Sequence, residues 1–287
     1  MKVLLLGSTG QLGWELQRTC PEDIIIESCD FPRVDFYCTD SISQCIIGSQ
    51  PDCIINAAAY TAVDKAEQEK DSACRINHQA VLEIAEHCRK NRISLVHIST
   101  DFVFNGQNYK PYQPDDTPHP ESVYGKSKLK GEQAVLEILG EKALIIRTAW
   151  LYSSHGNNFV RTMLKLMNEK QSLNIIDEQI GTPTWANGLA RAIWTALEKK
   201  IFGIFHWTDA GVASWYDFAM AIQEEGMRTG LLDNSIPVFP VSSHQFPTPA
   251  KRPMYSVLDK TSFWQATGID PIHWRAQLRS MLKELLP

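Results

Sequence analysis

Tyr124 and Lys128 stand four positions apart in the segment YGKSK. On a helix, that spacing puts a phenol and an ammonium on one face, one turn apart. Such a pair is a proton donor with its own charge partner. A free phenol has a pKa of about 10, and lowering it toward 7 takes roughly 4 kcal/mol. One cation held about 4 Å away at an effective dielectric near 20 supplies about that much. The expected chemistry is protonation of a carbonyl oxygen by a phenol of lowered pKa. A surface tyrosine and lysine on an amphipathic helix have the same spacing, so the pattern takes its weight from its surroundings.

Upstream, Gly7, Gly10 and Gly13 follow the apolar run Val3-Leu4-Leu5-Leu6. Glycines between a strand and a helix permit a tight turn and let backbone N–H groups approach a pyrophosphate at the helix start, here Gln11 and Leu12. The G-x-x-G-x-x-G spacing differs from the commoner G-x-G-x-x-G, and an ordinary strand–helix turn is the plainer alternative. Asp30 ends the next strand, where a carboxylate holds the adenosine ribose hydroxyls. Arg33 follows closely and suits a 2′-phosphate instead, so NADH and NADPH both stand as cofactors. Asp35 and Phe36 are placed to flank the adenine. Ser99-Thr100-Asp101 falls at the end of a further strand, where ligand-facing groups gather. Thr100 there is suited to hydrogen-bond a substrate carbonyl beside Tyr124; a turn cap is the alternative role for such residues.

The elements that must position these groups are legible as alternating patterns. Strands are expected at Lys2–Leu6, Ile24–Glu27, Cys53–Asn56, Ser94–Ile98 and Ala143–Arg147. Helical spacing runs over Gln11–Cys20, around Ile42–Ile47, over Ala73–Arg89, and from Ser122 to Leu139, ended by Gly140. This alternation predicts an α/β fold: a doubly wound parallel sheet, Rossmann-like. Residues 1–150 are read as the NAD(P)-binding domain, with room for later segments to add to its sheet. Residues 151–287 are read mainly as a smaller C-terminal substrate-binding lobe. Helices are expected there at Phe159–Met167, Ala186–Leu197, Trp215–Glu225 and Trp274–Leu285, with proline-rich connections at Ile236–Pro240 and Phe246–Pro253.

Composition removes other classes. The 287 residues carry a formal net charge of −5 with no block of like charge, which disfavours nucleic acid as a partner. The apolar run at the start is too short for a signal segment or a membrane span, and no other stretch approaches spanning length. The expectation is a cytoplasmic protein with no membrane partner. Seven cysteines fall between Cys20 and Cys88 without a C-x-x-C pair, which supports neither a zinc site nor a disulfide framework. Most are expected as buried small hydrophobes. His97 reads as a satisfied core histidine. Trp185, Trp194, Trp215 and Trp274 read as packing residues, and Asp64, Lys65 and Glu67 as a solvated helix start that Asp64 caps.

The segments GSTGQLGWEL, NAAAYTAVDKAE, STDFVFNG, YGKSK, RTAWLY, GNNF and PAKRP occur in this order. With them the chain resembles, over essentially its whole length, the extended short-chain dehydrogenase/reductase family. The resemblance implies NAD(P)H-dependent reduction of the C4 keto group of a dTDP-linked 6-deoxy sugar. Tyr124 would be the acid, Lys128 the ribose clamp and pKa shifter, and Thr100 the hydroxyl at the keto oxygen. Asn56, Ala57, Ala58 and Ala59 would pass under the cofactor, with Ser99 beside it. Thr61, Val63 and Trp150 would border the sugar, Asn158 would hydrogen-bond it, and Arg252 would meet the diphosphate. Two other readings stay open: a different 4-keto nucleotide sugar, and a non-catalytic NADP-binding subunit resembling the regulatory subunit of methionine adenosyltransferase. Some relatives bind magnesium through glutamates at a dimer interface. Glu15 and Glu284 correspond to two of them, but Asn187 stands at the third and removes a charge. That makes magnesium doubtful and implies a monomer or weak homodimer.

Overall fold

A strand made of consecutive apolar residues must be covered on both faces, and this requirement sets the architecture. In the computed structural model, which describes residues 1–286, β1 (Lys2–Leu6) is such a strand, with Val3, Leu4, Leu5 and Leu6 all buried. The chain then alternates through α1 (Gln11–Arg18), β2 (Ile25–Cys29), α2 (Thr39–Ser49) and β3 (Cys53–Asn56). Two short helices, α3 (Val63–Ala66) and α4 (Lys70–Cys74), lead through a widened helical turn at Arg75–Gln79 into α5 (Ala80–Asn91). Next come β4 (Ser94–Thr100), α6 (Val123–Leu139), β5 (Ala143–Thr148), β6 (Leu151–Tyr152) and α7 (Phe159–Glu169). Short strands β7 (Leu173–Ile176), β8 (Ile180–Gly181) and β9 (Thr184–Trp185) precede α8 (Ala186–Glu198) and β10 (Gly203–His206). The chain closes with β11 (Ala213–Ser214), α9 (Trp215–Thr229), β12 (Val238–Val241), α10 (Thr261–Thr267) and α11 (Trp274–Lys283).

Six strands form one parallel sheet in the order β10-β5-β4-β3-β1-β2. Side chains alternate between its faces. Val3, Leu5 and Ile55 pack with Leu12 and Leu16 of α1, Ile193 of α8 and Phe263 of α10. Leu4, Leu6 and Ile54 pack with Ile46 of α2, Ile84 of α5 and Val135 of α6. The chain leaves β1 for β2 on one side and returns to β3 on the other. That reversal opens a crevice at the carboxyl ends of the strands. A separate core of Tyr152, Val160, Phe218, Trp274 and Met281 joins α7, α9 and α11. Residues beyond 150 therefore serve both bodies: α8, β10 and α10 complete the sheet layers, while α7, α9 and α11 build the second core.

Two expectations change. The connection expected at Ile236–Pro240 contributes β12, which pairs in parallel with β7 and sets Pro240 opposite Ile175. In a two-stranded ladder, a proline can turn its missing N–H away from the partner. Glu67, expected as a solvated residue, accepts the Val123 N–H at 2.8 Å and closes the start of α6, where Ser122 caps Gly125 at 3.1 Å.

The middle of α6 is held by charge. Arg147 on β5 donates to both oxygens of Glu132 at 2.9 and 2.8 Å, and both side chains are almost fully buried. Removing one member leaves the other charge stranded, which costs about 3–5 kcal/mol. Arg147→Met is therefore expected to lower unfolding free energy by about that amount in urea titrations. Adding Glu132→Leu should recover much of the loss; a single-variant cost below about 1 kcal/mol would refute the assignment.

Candidate active site

The crevice is a cleft of about 760 Å³. Gly7, Gly10, Gln11 and Leu12 line it from the first turn, Asp30 and Phe36 from the region after β2, and Ala57, Ala58 and Ala59 from beyond β3. Ser99 and Thr100 end β4 against it, and Tyr124 and Lys128 face it from α6. Thr61, Val63, Trp150 and Asn158 complete the wall. Four expected residues are not in the lining: Gly13, Asp35, Asn56 and Arg252.

Those four act one layer back. A Cβ on Gly13 would stand 2.2 Å from the Gly7 carbonyl oxygen, so Gly13 lets the helix close on the turn. Gly7 adopts φ +80°, and a Cβ there would collide with the Ala58 backbone at 2.5 Å. Gly10 differs, because its Cβ would meet only the Gly7 oxygen, at 3.5 Å. Asn56 is buried; its side-chain oxygen accepts the Ala58 N–H at 3.2 Å, shaping the alanine turn. Asp35 accepts from Tyr37 N at 2.9 Å and organises its own loop. Arg252 forms a forked pair with Asp64 at 3.0 and 2.7 Å. Its guanidinium holds the Asp64 carboxyl below the usual range. Asp64 is thus the anchor of Arg252 at the edge of α3, not the helix cap expected of it.

The opposing signals after β2 separate in space. Asp30 reaches the cleft while accepting Thr9 N and Oγ1 at 3.0 and 2.6 Å, tying the glycine turn to the strand end. Arg33 is turned onto Glu27, whose carboxyl is held at about 2 by Lys2, Ser49 and Arg33. Asn158 borders the cleft, but its groups are engaged. Its amide nitrogen donates to Gln11 Oε1 at 3.0 Å and Ser153 O at 2.7 Å, and its oxygen caps Arg161 N at 3.1 Å.

At the reacting end, Thr100 Oγ1 donates to Asp101 at 3.0 Å and accepts from Phe102 N at 3.2 Å. It is a turn cap and a cleft residue at once. Lys128 is buried and donates to the Ile98 carbonyl at 2.6 Å. Burial lowers its ammonium to about 8, opposed by Glu132. Tyr124 packs edge-on against Phe102 at 5.5 Å. Desolvation pushes its phenol up to about 12, against the pull of the Thr100 hydroxyl. The expected lowering is therefore reversed: the protein's own groups keep Tyr124 protonated. His97 is fully buried, with Nδ1 3.3 Å from Asn56 Nδ2 but no partner at Nε2, so it is only half satisfied. Burial and the Lys128 charge keep it neutral.

Asp101, named in the sequence only as part of the Ser99-Thr100-Asp101 strand end, received no role of its own there. It lines the cleft, and burial pushes its carboxyl up to about 6. Its position beside Thr100 at a strand end was the available signal. Ser99 Oγ and Thr148 Oγ1 are buried without a protein partner, and both residues line the cleft. Buried polar atoms in this condition suit a ligand rich in hydrogen-bonding groups. With the open face of Gly10, the cleft fits a dinucleotide and a polar substrate together.

The residues do not fit magnesium. Glu15 is buried and accepts from Arg18 Nε and Nη2 at 3.1 and 3.0 Å, Asn187 Nδ2 at 2.8 Å and Ser153 Oγ at 3.0 Å. Glu284 accepts from Arg18 at 2.6 Å and Ser154 at 2.8 Å. Asn187 offers its oxygen to Arg191 at 2.9 Å. A guanidinium occupies the electrostatic role of a cation here, and donors saturate the oxygens a hard ion needs.

A doubly wound sheet with threonine, tyrosine and lysine converging at its switch-point cleft defines a reductase of the short-chain dehydrogenase class. The chain belongs to the family described as RmlD substrate binding domain, whose model matches residues 1–286. It is 38% identical over 288 residues to a dTDP-4-dehydrorhamnose reductase from Aggregatibacter actinomycetemcomitans, covering 98% of each chain. A crystal structure of a dTDP-4-dehydrorhamnose reductase from Clostridium acetobutylicum superposes with a TM-score of 0.92 at 37% identity over 99% of both chains. The same enzyme from Bacillus anthracis, solved in complex with NADP, also gives a TM-score of 0.92 at 34% identity, again over 99% of both.

The three glycines predict separable variants. Gly10→Ala should leave stability within about 0.5 kcal/mol of the parent while weakening dinucleotide binding. Gly13→Ala should cost about 1–3 kcal/mol through backbone collision. Thermal unfolding and cofactor titration followed by Trp14 fluorescence measure both; equal stability losses would refute the distinction.

Proposed function

We propose that this chain reduces the C4 keto group of dTDP-4-dehydro-6-deoxy-L-mannose to give dTDP-L-rhamnose, using NADPH or NADH. The observation that carries the reading is the convergence of Thr100, Tyr124 and Lys128 on one cleft, walled by Trp150 and opening onto the glycine turn. The curated relative named above supplies the substrate. Gly7, Gly10, Gln11, Leu12, Asp30 and Phe36 would hold the dinucleotide, with Ala57 to Ala59 and Ser99 beneath it. When bound, the nicotinamide supplies the hydride that adds to C4.

The chain's residues handle the other half of the reaction. On substrate binding the Thr100 hydroxyl turns its one proton from Asp101 to the keto oxygen, which with the Tyr124 phenol fixes the carbonyl. As negative charge develops there, Tyr124 transfers its proton to the oxygen. The resulting phenolate is stabilised by the Lys128 ammonium, and solvent later restores the proton. Thr61, Val63 and Trp150 border the sugar. Arg252, held by Asp64 outside the cleft lining, would reach the diphosphate only with its remaining N–H groups. Among the described residues, no helix is long and apolar enough to cross a membrane. The reading makes this a cytoplasmic enzyme. It acts as a monomer or weak homodimer, in keeping with the internal pairing of Glu15 and Glu284 by Arg18.

Tyr124→Phe removes the acid and is expected to slow turnover by about 10²–10⁴-fold while cofactor binding persists. Loss of NAD(P)H absorbance and calorimetric titration separate the two effects. Unchanged turnover would take Tyr124 out of the mechanism.

The Lys128 ammonium sets a basic limb. It is charged below about 8 and loses its proton above that pH. Reductive kcat/KM should be level on the acid side of this value and fall about tenfold per pH unit beyond it. The residual activity of Lys128→Met should lack that limb; its persistence would assign the limb to another group.

A further inference from the structure

Trp150 has φ +48°, a left-handed backbone conformation that a bulky residue adopts only where its surroundings hold it. Two residues grip its indole. Trp215, at the first turn of α9, stacks on it with ring centroids 3.6 Å apart and planes 7° from parallel. Phe159 at the start of α7 braces Trp215 in turn, at 4.6 Å. Gly181 supplies the second contact: a Cβ there would stand 2.6 Å from Trp150 Cε2 and 2.7 Å from Nε1.

The two contacts belong to one unit. β8 pairs with β11 in antiparallel register, Gly181 opposite Ala213 and Ile180 opposite Ser214. Ser214 then starts α9 through a reciprocal cap with Asp217, at 2.9 Å in each backbone bond. The ladder thus fixes Gly181 and the base of Trp215 relative to one another. The Trp150 carbonyl is tied as well, accepting from Thr184 N at 3.1 Å. Trp150 borders the cleft, whereas Gly181 and Trp215 do not.

We propose that Gly181 and Trp215 are positioning residues for the substrate sugar, acting by locking Trp150 as a preset wall against which the ring docks. The inference rests on the cleft being the nucleotide-sugar site. A wall held in place before binding spares the ordering cost that a mobile indole would impose on each substrate.

Gly181→Ala is the sharpest test. Gly181 has no positive φ, so alanine is compatible with the backbone and the added methyl meets the indole directly. The KM for dTDP-4-dehydro-6-deoxy-L-mannose should rise at least tenfold, with the cofactor KM within twofold of wild type. Trp215→Leu should produce the same split, and Trp215→Phe should largely restore the sugar KM. The stacked indoles should give the wild type an exciton couplet in circular dichroism. Trp215→Leu should abolish this couplet and Gly181→Ala should weaken it. If the wild type turns over and the couplet is lost, but the sugar KM stays unchanged in both variants, the positioning role is overturned and the reaction stands. Equal losses in sugar and cofactor binding would also overturn it, as a general packing effect. A wild type that oxidises neither cofactor with this substrate overturns the reaction itself and, with it, the docking role; the couplet still reports the stack.

Discussion

An ammonium removed from water is among the costliest groups a fold can carry, and Lys128 is only 2% exposed. Much of the active-site half of the molecule is arranged around that charge. The Ile98 carbonyl takes one of its protons at 2.6 Å. Glu132, one turn further along α6, favours the charged form, although burial still brings it down to about 8. Glu132 is itself buried and is neutralised by Arg147, which donates also to Pro114 O at 3.0 Å and lies over the Phe104 ring at 5.1 Å. A chain of alternating charge thus runs from the cleft into the sheet. Breaking it at any link strands a charge and loosens the helix that carries both Tyr124 and Lys128.

The second body is tied to the first through α1, the helix that follows the glycine turn. Glu15 gathers Arg18, Asn187 of α8 and Ser153 from the segment after β6. Glu284, beyond the end of α11, joins through Arg18. At the upper end, His155 stacks on Trp14 at 5.2 Å and bonds the Thr9 carbonyl at 3.0 Å, and Asn158 reaches Gln11. The pyrophosphate turn and the segment that covers it therefore form one mechanical unit. Within this cluster the Arg18 guanidinium, on the same helix as Glu15, pairs both carboxylates.

Groups positioned by local pattern were the legible ones. The glycine turn follows a strand of unbroken apolar residues, Thr100 follows another, and Tyr124 and Lys128 share a helix whose cap stands at Ser122. Each can be placed from its own neighbourhood, because strand ends in a doubly wound sheet converge on one edge. Asp64 and Arg252 meet across 188 positions, and Glu15 and Asn187 across 172. No local spacing encodes such pairs; they exist only once the sheet has closed. The strand β10 was hidden for a different reason. Four residues beginning with Gly203 carry too little period to read, and their place beside β5 is set by the tertiary contacts of Phe205 and His206.

The direction of the Tyr124 shift suits the proton-donating role proposed for it. A phenol lowered toward neutrality is poised to take a proton from an alcohol, as oxidation requires. A phenol pushed up to about 12 stays loaded at neutral pH and stands ready to give its proton to a reduced carbonyl. Its weakness as an acid matters less than it seems, because the oxygen it serves becomes strongly basic only as hydride arrives. In the proposed mechanism the Lys128 ammonium then acts on the phenolate that forms, stabilising the product of proton transfer more than its starting state. That difference is what catalysis needs. In that mechanism the pair at 124 and 128 divides the work: desolvation keeps the donor protonated, and the Lys128 charge stabilises what donation leaves behind.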